Sequence, residues 1–303
     1  MTLPNFLVLG AAKAGTSALH QYLLQHPAIF LHPTWKEPRF FAYEGQPPTY
    51  CGPGDETFNR RTITTLDAYA AYFENVRHET AIGEVSPVYL YSERAPACIQ
   101  HYIPQAKFIV VLRHPVDRAY SHFLQLVRDQ REPLRDFAQA LAAEDARVRA
   151  NWEWSRYFRR VGRYHEQLTR YFDHFDRRQF QIHLYEDFEA DPVGMCRDIF
   201  RFLGVDDAFT PDTSRRHNQS TLPTSVAFQR ALHAVARMLL PAKSLLPTTW
   251  WRRGGMIWRR LYESNQFRPA LDPELRRQLT ASFRDEIRRL EALIERDLSR
   301  WLE

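Results

Sequence analysis

Four short apolar runs punctuate the chain: Phe6–Gly10, Thr80–Gly83, Phe108–Leu112 and Phe180–Tyr185. Each is too brief for a helix and is apolar nearly throughout, as a strand buried on both faces must be. Ala28–Leu31 adds a fifth candidate. Between these runs the apolar positions recur every three or four residues. That spacing predicts helices over residues 16–26, 67–75, 92–102, 116–130, 134–148, 157–174, 192–203 and 273–301. Strand followed by helix, repeated, predicts an α/β fold with a central parallel sheet flanked by helices in three layers. Such sheets bind ligands beyond the carboxyl ends of their strands. The residues after Leu9, after Ile82 and after Leu112 are therefore expected to gather in space.

The last helix is the plainest element. Asp272 can cap it and Pro273 can take its first position. Leu275, Leu279, Phe283, Ile287, Leu290, Ile294 and Leu298 follow at helical spacing, which reads as core packing. Residues 42–62, rich in Gly, Pro and Thr, read as a long surface loop, and 204–224 read similarly. There is no repeat, low-complexity tract or obvious linker. The expected organisation is one domain over residues 1–303, with a helical aromatic and basic insertion at about 225–268.

Composition changes this picture in two places. With 44% hydrophobic and 14% aromatic residues among 303, a sizeable core is available, and a net charge of +5 mildly favours anionic partners. Only four lysines occur, Lys13, Lys36, Lys107 and Lys243, in a chain otherwise reliant on arginine. Lys13 and Lys36 stand in the most motif-like stretches, and a compact ammonium can reach a single oxygen at a tight anion site. Cys51, Cys98 and Cys196 are too scattered for a disulfide framework and read as free thiols. The N-terminus runs straight into a strand without signal-peptide features, and no apolar run approaches the ~20 residues that span a bilayer. A cytoplasmic location is expected.

The stretch GAAKAGTSAL, residues 10–19, follows the first strand and opens a helix. Glycine lets the chain turn, and the helix start offers unpaired N–H groups and a favourable dipole to an anion. A nucleotide triphosphatase loop would carry lysine directly before the hydroxyl residue. Here Lys13 comes two residues before Gly15, and Thr16 and Ser17 follow. The order resembles the 5′-phosphosulfate loop, PKxGT[ST], of sulfotransferases that use 3′-phosphoadenosine 5′-phosphosulfate (PAPS), apart from the leading proline. The resemblance implies a P-loop-like fold in which Lys13 contacts the bridging oxygen and leaving phosphate. Ala14, Gly15, Thr16 and Ser17 would hold the 5′-phosphate, and no metal is expected.

KFIVVLRHPVDRAYSHF, residues 107–123, is a strand that ends in Arg113 and a helix with Pro115 in its first turn. Alone, Arg113 reads equally as a structural ion-pair partner. The stretch also resembles the 3′-phosphate motif of the same family, which assigns that phosphate to Arg113 and Ser121. HPTWKEPRFF, residues 32–41, resembles the segment that supplies a catalytic glutamate in the heparan-sulfate and bacterial carbohydrate branch. Glu37 is then the base that takes the proton of an acceptor hydroxyl. GEVSPVYLYS, residues 83–92, resembles E-K-[ST]-P-x-Y, with Val85 in place of the lysine. Glu84 reads either as a second acid near the acceptor or as a structural partner of Arg113. A late loop closes over the donor in this family. RRHNQS, residues 215–220, is its counterpart by position, through Arg216 or Asn218, and reads equally as a solvated basic loop.

Residues 225–262 interleave Trp250, Trp251 and Trp258 with Arg252, Arg253, Arg259 and Arg260. Three readings stand: an acceptor-binding lid, a peripheral contact with the inner membrane surface, or core aromatics with solvated arginines. Nothing else favours nucleic acid. The expected function is sulfuryl transfer from PAPS to a hydroxyl, with a carbohydrate or glycolipid as the acceptor implied by the branch. The alternatives are a P-loop kinase acting on a small molecule, and a non-catalytic binder of polyanions or membrane surfaces.

Overall fold

The computed structural model describes residues 1–214, 222–224, 228, 264–267 and 269–303. All five candidate strands form. They are β1 (Phe6–Gly10), β2 (Ile29–Phe30), β3 (Ala81–Val85), β4 (Lys107–Leu112) and β5 (Phe180–Leu184). They build one parallel sheet in the order β2-β3-β1-β4-β5. Every residue of β1 is buried, which explains why its sequence is apolar without alternation. Gly83 faces Phe6 across the β1–β3 pair, and a Cβ there would stand 2.3 Å from the Phe6 ring.

From β1 the chain crosses to the β2 edge, returns through β3, and then passes over to β4 and β5 on the other side. The connections leaving β1 and β4 run in opposite directions, so a crevice opens between their carboxyl ends. The loops beyond β1 and β4 meet there. Ala11 N donates to Val111 O at 2.7 Å, and Arg113 Nη1 donates to Lys13 O at 2.9 Å.

The helix Pro115–Arg128 starts with proline at its first position, as the sequence suggests, and buries Val116, Ala119, Phe123, Leu124 and Val127. The helix Pro273–Ile294 is capped by Asp272, which accepts from Leu275 N at 2.8 Å. It stops earlier than the periodicity predicts. Glu295 takes a left-handed φ of 54°, and the chain turns into a short 3-10 segment, Ser299–Leu302. Leu298 is buried all the same, and the turn sets Trp301 under the β4 loop, its carbonyl 3.0 Å from His114 Nε2.

Other boundaries shift too. Residues 134–148 form two short helices, Phe137–Ala142 and Glu144–Arg149, and the stretch from 157 becomes α-helical only at Tyr164. Residues 42–62 are not a plain surface loop, for they contain the helix Asp55–Arg61. Asp55 is fully buried and accepts from Gly52 N, Glu153 N, Arg156 Nη1 and Arg131 Nη2 at 2.7–3.0 Å. That carboxylate ties the segment to residues 131–156, a link without any periodic signature. Asp55→Ala leaves the equally buried Arg156 without its carboxylate. Denaturant unfolding should then show a loss of about 3–5 kcal/mol.

Leu222–Pro223 pairs antiparallel with Gln266–Phe267. Arg216, Asn218 and, apart from Phe228, residues 225–262 lie outside the described residues. Among the described residues no helix is long and apolar enough to cross a membrane.

Candidate active site

A cleft of about 770 Å³ lies beyond the carboxyl ends of β1 and β4. Its floor is the loop that leaves β1. Ala11, Ala12 and Ala14 are small and buried, so the loop lies close on the sheet end. Lys13 and Gly15 both adopt left-handed backbone, with φ of 72° and 82°. At Gly15 a side chain would be strained by that φ and blocked by the Phe188 ring, 2.8 Å from where a Cβ would stand. The chain then enters the helix Thr16–Leu23, whose first-turn N–H groups have no intrahelical partners. Loop and helix start together form an anion cradle.

Lys13 Nζ donates to Gln125 Oε1 at 2.7 Å, one helical turn beyond Ser121. Burial, with the charges of Arg128, Arg113 and Lys36 nearby, pushes its ammonium down to about 7. Arg113 leans over the Tyr185 ring, 4.3 Å from its centroid, and its carbonyl accepts from Tyr164 Oη at 3.0 Å. Ser121 is buried and lines the same cleft. The structure thus brings together Lys13, Gly15, Thr16, Ser17, Arg113 and Ser121 in one cavity, with Ala14 packed beneath it.

The third wall is the loop before the helical turn Phe40–Tyr43. Glu37 and Arg39 have φ of 67° and 66°. Lys36 Nζ donates to Thr16 Oγ1 at 3.2 Å and Ser17 Oγ at 3.0 Å, and stands 3.3 Å from Glu37 Oε1. Arg39 Nη2 lies 3.1 Å from the other Glu37 oxygen. Burial pushes the Glu37 carboxyl up, but Lys36 and Arg39 outweigh it and hold the group below the ordinary carboxylate range. Lys36 therefore joins the phosphate cradle to the candidate base. Sequence reasoning flagged this lysine without giving it a role. Gln125 and Phe188 also line the cleft and carried no motif signal, and Arg39 and His122 line it from within residues 32–41 and 107–123, where neither was given a role.

Glu84 is corrected. It is 1% exposed and does not line the cleft. Oε1 accepts from Tyr69 Oη at 2.7 Å and Tyr89 Oη at 2.6 Å, and Oε2 accepts from Ser86 Oγ at 2.8 Å. Burial raises its carboxyl to about 7 against these three donors. Neither expectation, an acid facing the acceptor or an ion-pair partner of Arg113, describes this arrangement. The chain folds β3 so that its end turns down into the aromatic core.

A model of the sulfotransferase family matches residues 4–211, a span that holds every cleft residue named above. Among solved structures, a sulfotransferase from Alicyclobacillus acidocaldarius is similar over 100% of both chains, at 38% identity and a TM-score of 0.78. Curated relatives include the human bifunctional heparan sulfate N-deacetylase/N-sulfotransferase 3. It is 30% identical over 213 residues, covering 67% of this chain and 22% of that protein. The mouse heparan sulfate glucosamine 3-O-sulfotransferase 6 is 27% identical over 206 residues, covering 67% of this chain and 52% of that one. The chain thus spans a fifth to a half of the length of these two relatives.

Proposed function

The chain belongs to the sulfotransferase family, and on that premise we propose that it moves a sulfuryl group from PAPS to a hydroxyl of a carbohydrate or glycolipid acceptor. One observation carries the reading. Arg113 at the end of β4 donates to the Lys13 carbonyl at the end of β1, so two anion-binding loops form the walls of a single cleft. A nucleotide with phosphates at both its 5′ and 3′ positions has the charge pattern for that pair of loops.

The residues present fit such a donor. The left-handed turn at Gly15 brings the helix start into the cleft, and the first turn from Thr16 supplies N–H and hydroxyl donors. Five lysines and arginines line the cleft against three glutamates. When bound, PAPS supplies the activated sulfuryl group. Thr16 and Ser17 hold the 5′-phosphate, and Arg113 and Ser121 hold the 3′-phosphate. Lys13 leaves Gln125 to offset charge on the bridging oxygen. Lys36, already on the Thr16 and Ser17 hydroxyls, turns to the anion they bind. Its departure from Glu37 removes one of the two cations that hold that carboxyl down, making Glu37 a better base for the acceptor proton. Arg39, Phe58, Arg131 and Trp154 add guanidinium groups and ring faces to the lining, a mixture suited to a sugar with acidic groups.

The heparan sulfate relatives support a carbohydrate acceptor. The kinase alternative is disfavoured by the position of Lys13, and a thermal-shift comparison separates the two. Adenosine 3′,5′-bisphosphate (PAP) should raise the melting temperature where ATP with magnesium does not. The function itself is tested by incubating the protein with PAPS and a panel of acceptors and weighing the products. A gain of one SO₃ on a saccharide hydroxyl is expected. Transfer to none of the saccharides or glycolipids would contradict the acceptor class.

The 3′-phosphate assignment has its own test. Arg113→Ala should weaken PAP binding roughly 10- to 100-fold, the loss of one charge-assisted contact. Adenosine 5′-monophosphate should bind the variant and the parent alike. Calorimetry of both nucleotides on both proteins checks this.

A further inference from the structure

We propose that Glu84 is the positioning residue of the Glu37 loop, holding the backbone on the far side of Glu37 from below through two hydroxyl arms. The inference rests on reading Glu37 as the base. One arm is Ser86, which donates to Glu84 Oε2 at 2.8 Å and accepts from Arg39 N at 3.2 Å. The other is Tyr89, which donates to Glu84 Oε1 at 2.6 Å and accepts from Phe41 N at 3.3 Å. Tyr69 completes the cluster, donating to Oε1 while its ring stacks on Phe40 with centroids 4.4 Å apart.

The direction of these bonds matters. Above about pH 7 the Glu84 carboxylate is ionised and only accepts, so it turns the hydroxyl protons of Ser86, Tyr89 and Tyr69 towards itself. The oxygens of Ser86 and Tyr89 then face the loop as acceptors, where two backbone N–H groups need them. The loop requires such support. Glu37 and Arg39 both sit in left-handed backbone, which is strained for a non-glycine residue and persists only where the surroundings hold it. The two N–H groups held from below belong to Arg39 and to Phe41, where the chain leaves this conformation. On the near side Tyr72 Oη donates to Trp35 O. The segment from Trp35 to Phe41 is thus pinned at both ends, with Glu37 between. Glu84 and its three hydroxyl partners do not line the cleft, but Lys36, inside the held segment, reaches the Thr16 and Ser17 hydroxyls of the donor cradle.

Because Glu84 does not line the cleft, its effect on turnover can be told from an effect on donor binding. The full chain is compared with Ser86→Ala, which removes one arm, and Glu84→Gln, which keeps the volume but turns an amide donor into the cluster. Hydrogen exchange, PAP affinity and turnover of PAPS with a desulfated heparan oligosaccharide are measured. Exchange in peptides covering 36–43 should rise in both variants, while β1 and β4 stay protected. Turnover should fall roughly 10- to 100-fold through loss of alignment at the base. PAP affinity should fall by much less than turnover, because Lys36 rides on this segment while Lys13, Arg113 and Ser121 do not. Unchanged exchange at 36–43 would overturn the inference, and so would PAP affinity that falls in step with turnover. The underlying reading fails separately, if Glu37→Gln turns over like the parent. Exchange at 36–43 then still decides whether Glu84 holds the loop.

Discussion

Lys13→Ala is expected to lower sulfuryl transfer roughly 10²- to 10³-fold, the scale for removing one donor aimed at developing charge. Lys13 stands at the turn of the donor loop with left-handed backbone, and its ammonium rests on a neutral amide, Gln125, with no carboxylate bonded to it among the described residues. Its charge is therefore held in reserve for an anion. Burial and the neighbouring arginines have already pushed the ammonium down to about 7. The sign of the resulting pH dependence follows. Below pH 7 the free protein carries the proton and PAP meets a charged lysine. Above pH 7 the free protein has lost it, and the bound anion draws it back. PAP affinity should fall as pH rises through 7, and binding at pH 8 should take up close to one proton while binding at pH 6 takes up almost none. Calorimetry in buffers of different ionisation heat reads the proton count directly. In Lys13→Ala the proton uptake should vanish. If the variant kept both its turnover and its uptake, Lys13 would not be the group.

Glu37→Gln is the second large effect. A positioned general base contributes roughly 10²- to 10⁴-fold, and turnover should fall by that amount. Donor binding should survive, because Lys36 and Arg39 are released from the carboxylate they pair with and the cleft becomes more positive. PAP affinity is therefore expected to be unchanged or tighter. The pH profile adds a check. Lys36 and Arg39 hold the Glu37 carboxyl below its ordinary range, so the base form persists to low pH and activity is lost only as pH falls through that depressed value. The acidic limb of kcat/KM should disappear in the variant. A variant with parental turnover would remove Glu37 from the chemistry.

That these two residues meet in one cleft was legible because each sits inside a local pattern. Strand, turn and helix in direct succession fix where Lys13, Gly15, Thr16 and Ser17 must be, and the same holds for Arg113 and Ser121. The five strands were legible for a related reason: a parallel sheet covered on both faces demands uninterrupted apolar runs. What failed to show was whatever depends on contacts between distant segments. Asp55 looked like a loop residue because its partners, Arg131 and Arg156, lie 76 and 101 positions away. Glu84 looked like a site residue because it follows a strand with a motif. Only the packing of Tyr69 and Tyr89 around it reveals that it points into the core. Lys36 lay in between. Its isolation in an arginine-rich chain marked it, but its contact with the Thr16 and Ser17 hydroxyls comes from a different element meeting the phosphate loop.

The central claim is that one cleft recognises both phosphates of the donor nucleotide. A crystal structure of the chain with PAP tests it most directly. The expected result places the 5′-phosphate against residues 14–17 and Lys13, and the 3′-phosphate against Arg113 and Ser121. PAP bound elsewhere, or bound with either phosphate facing solvent, would contradict it.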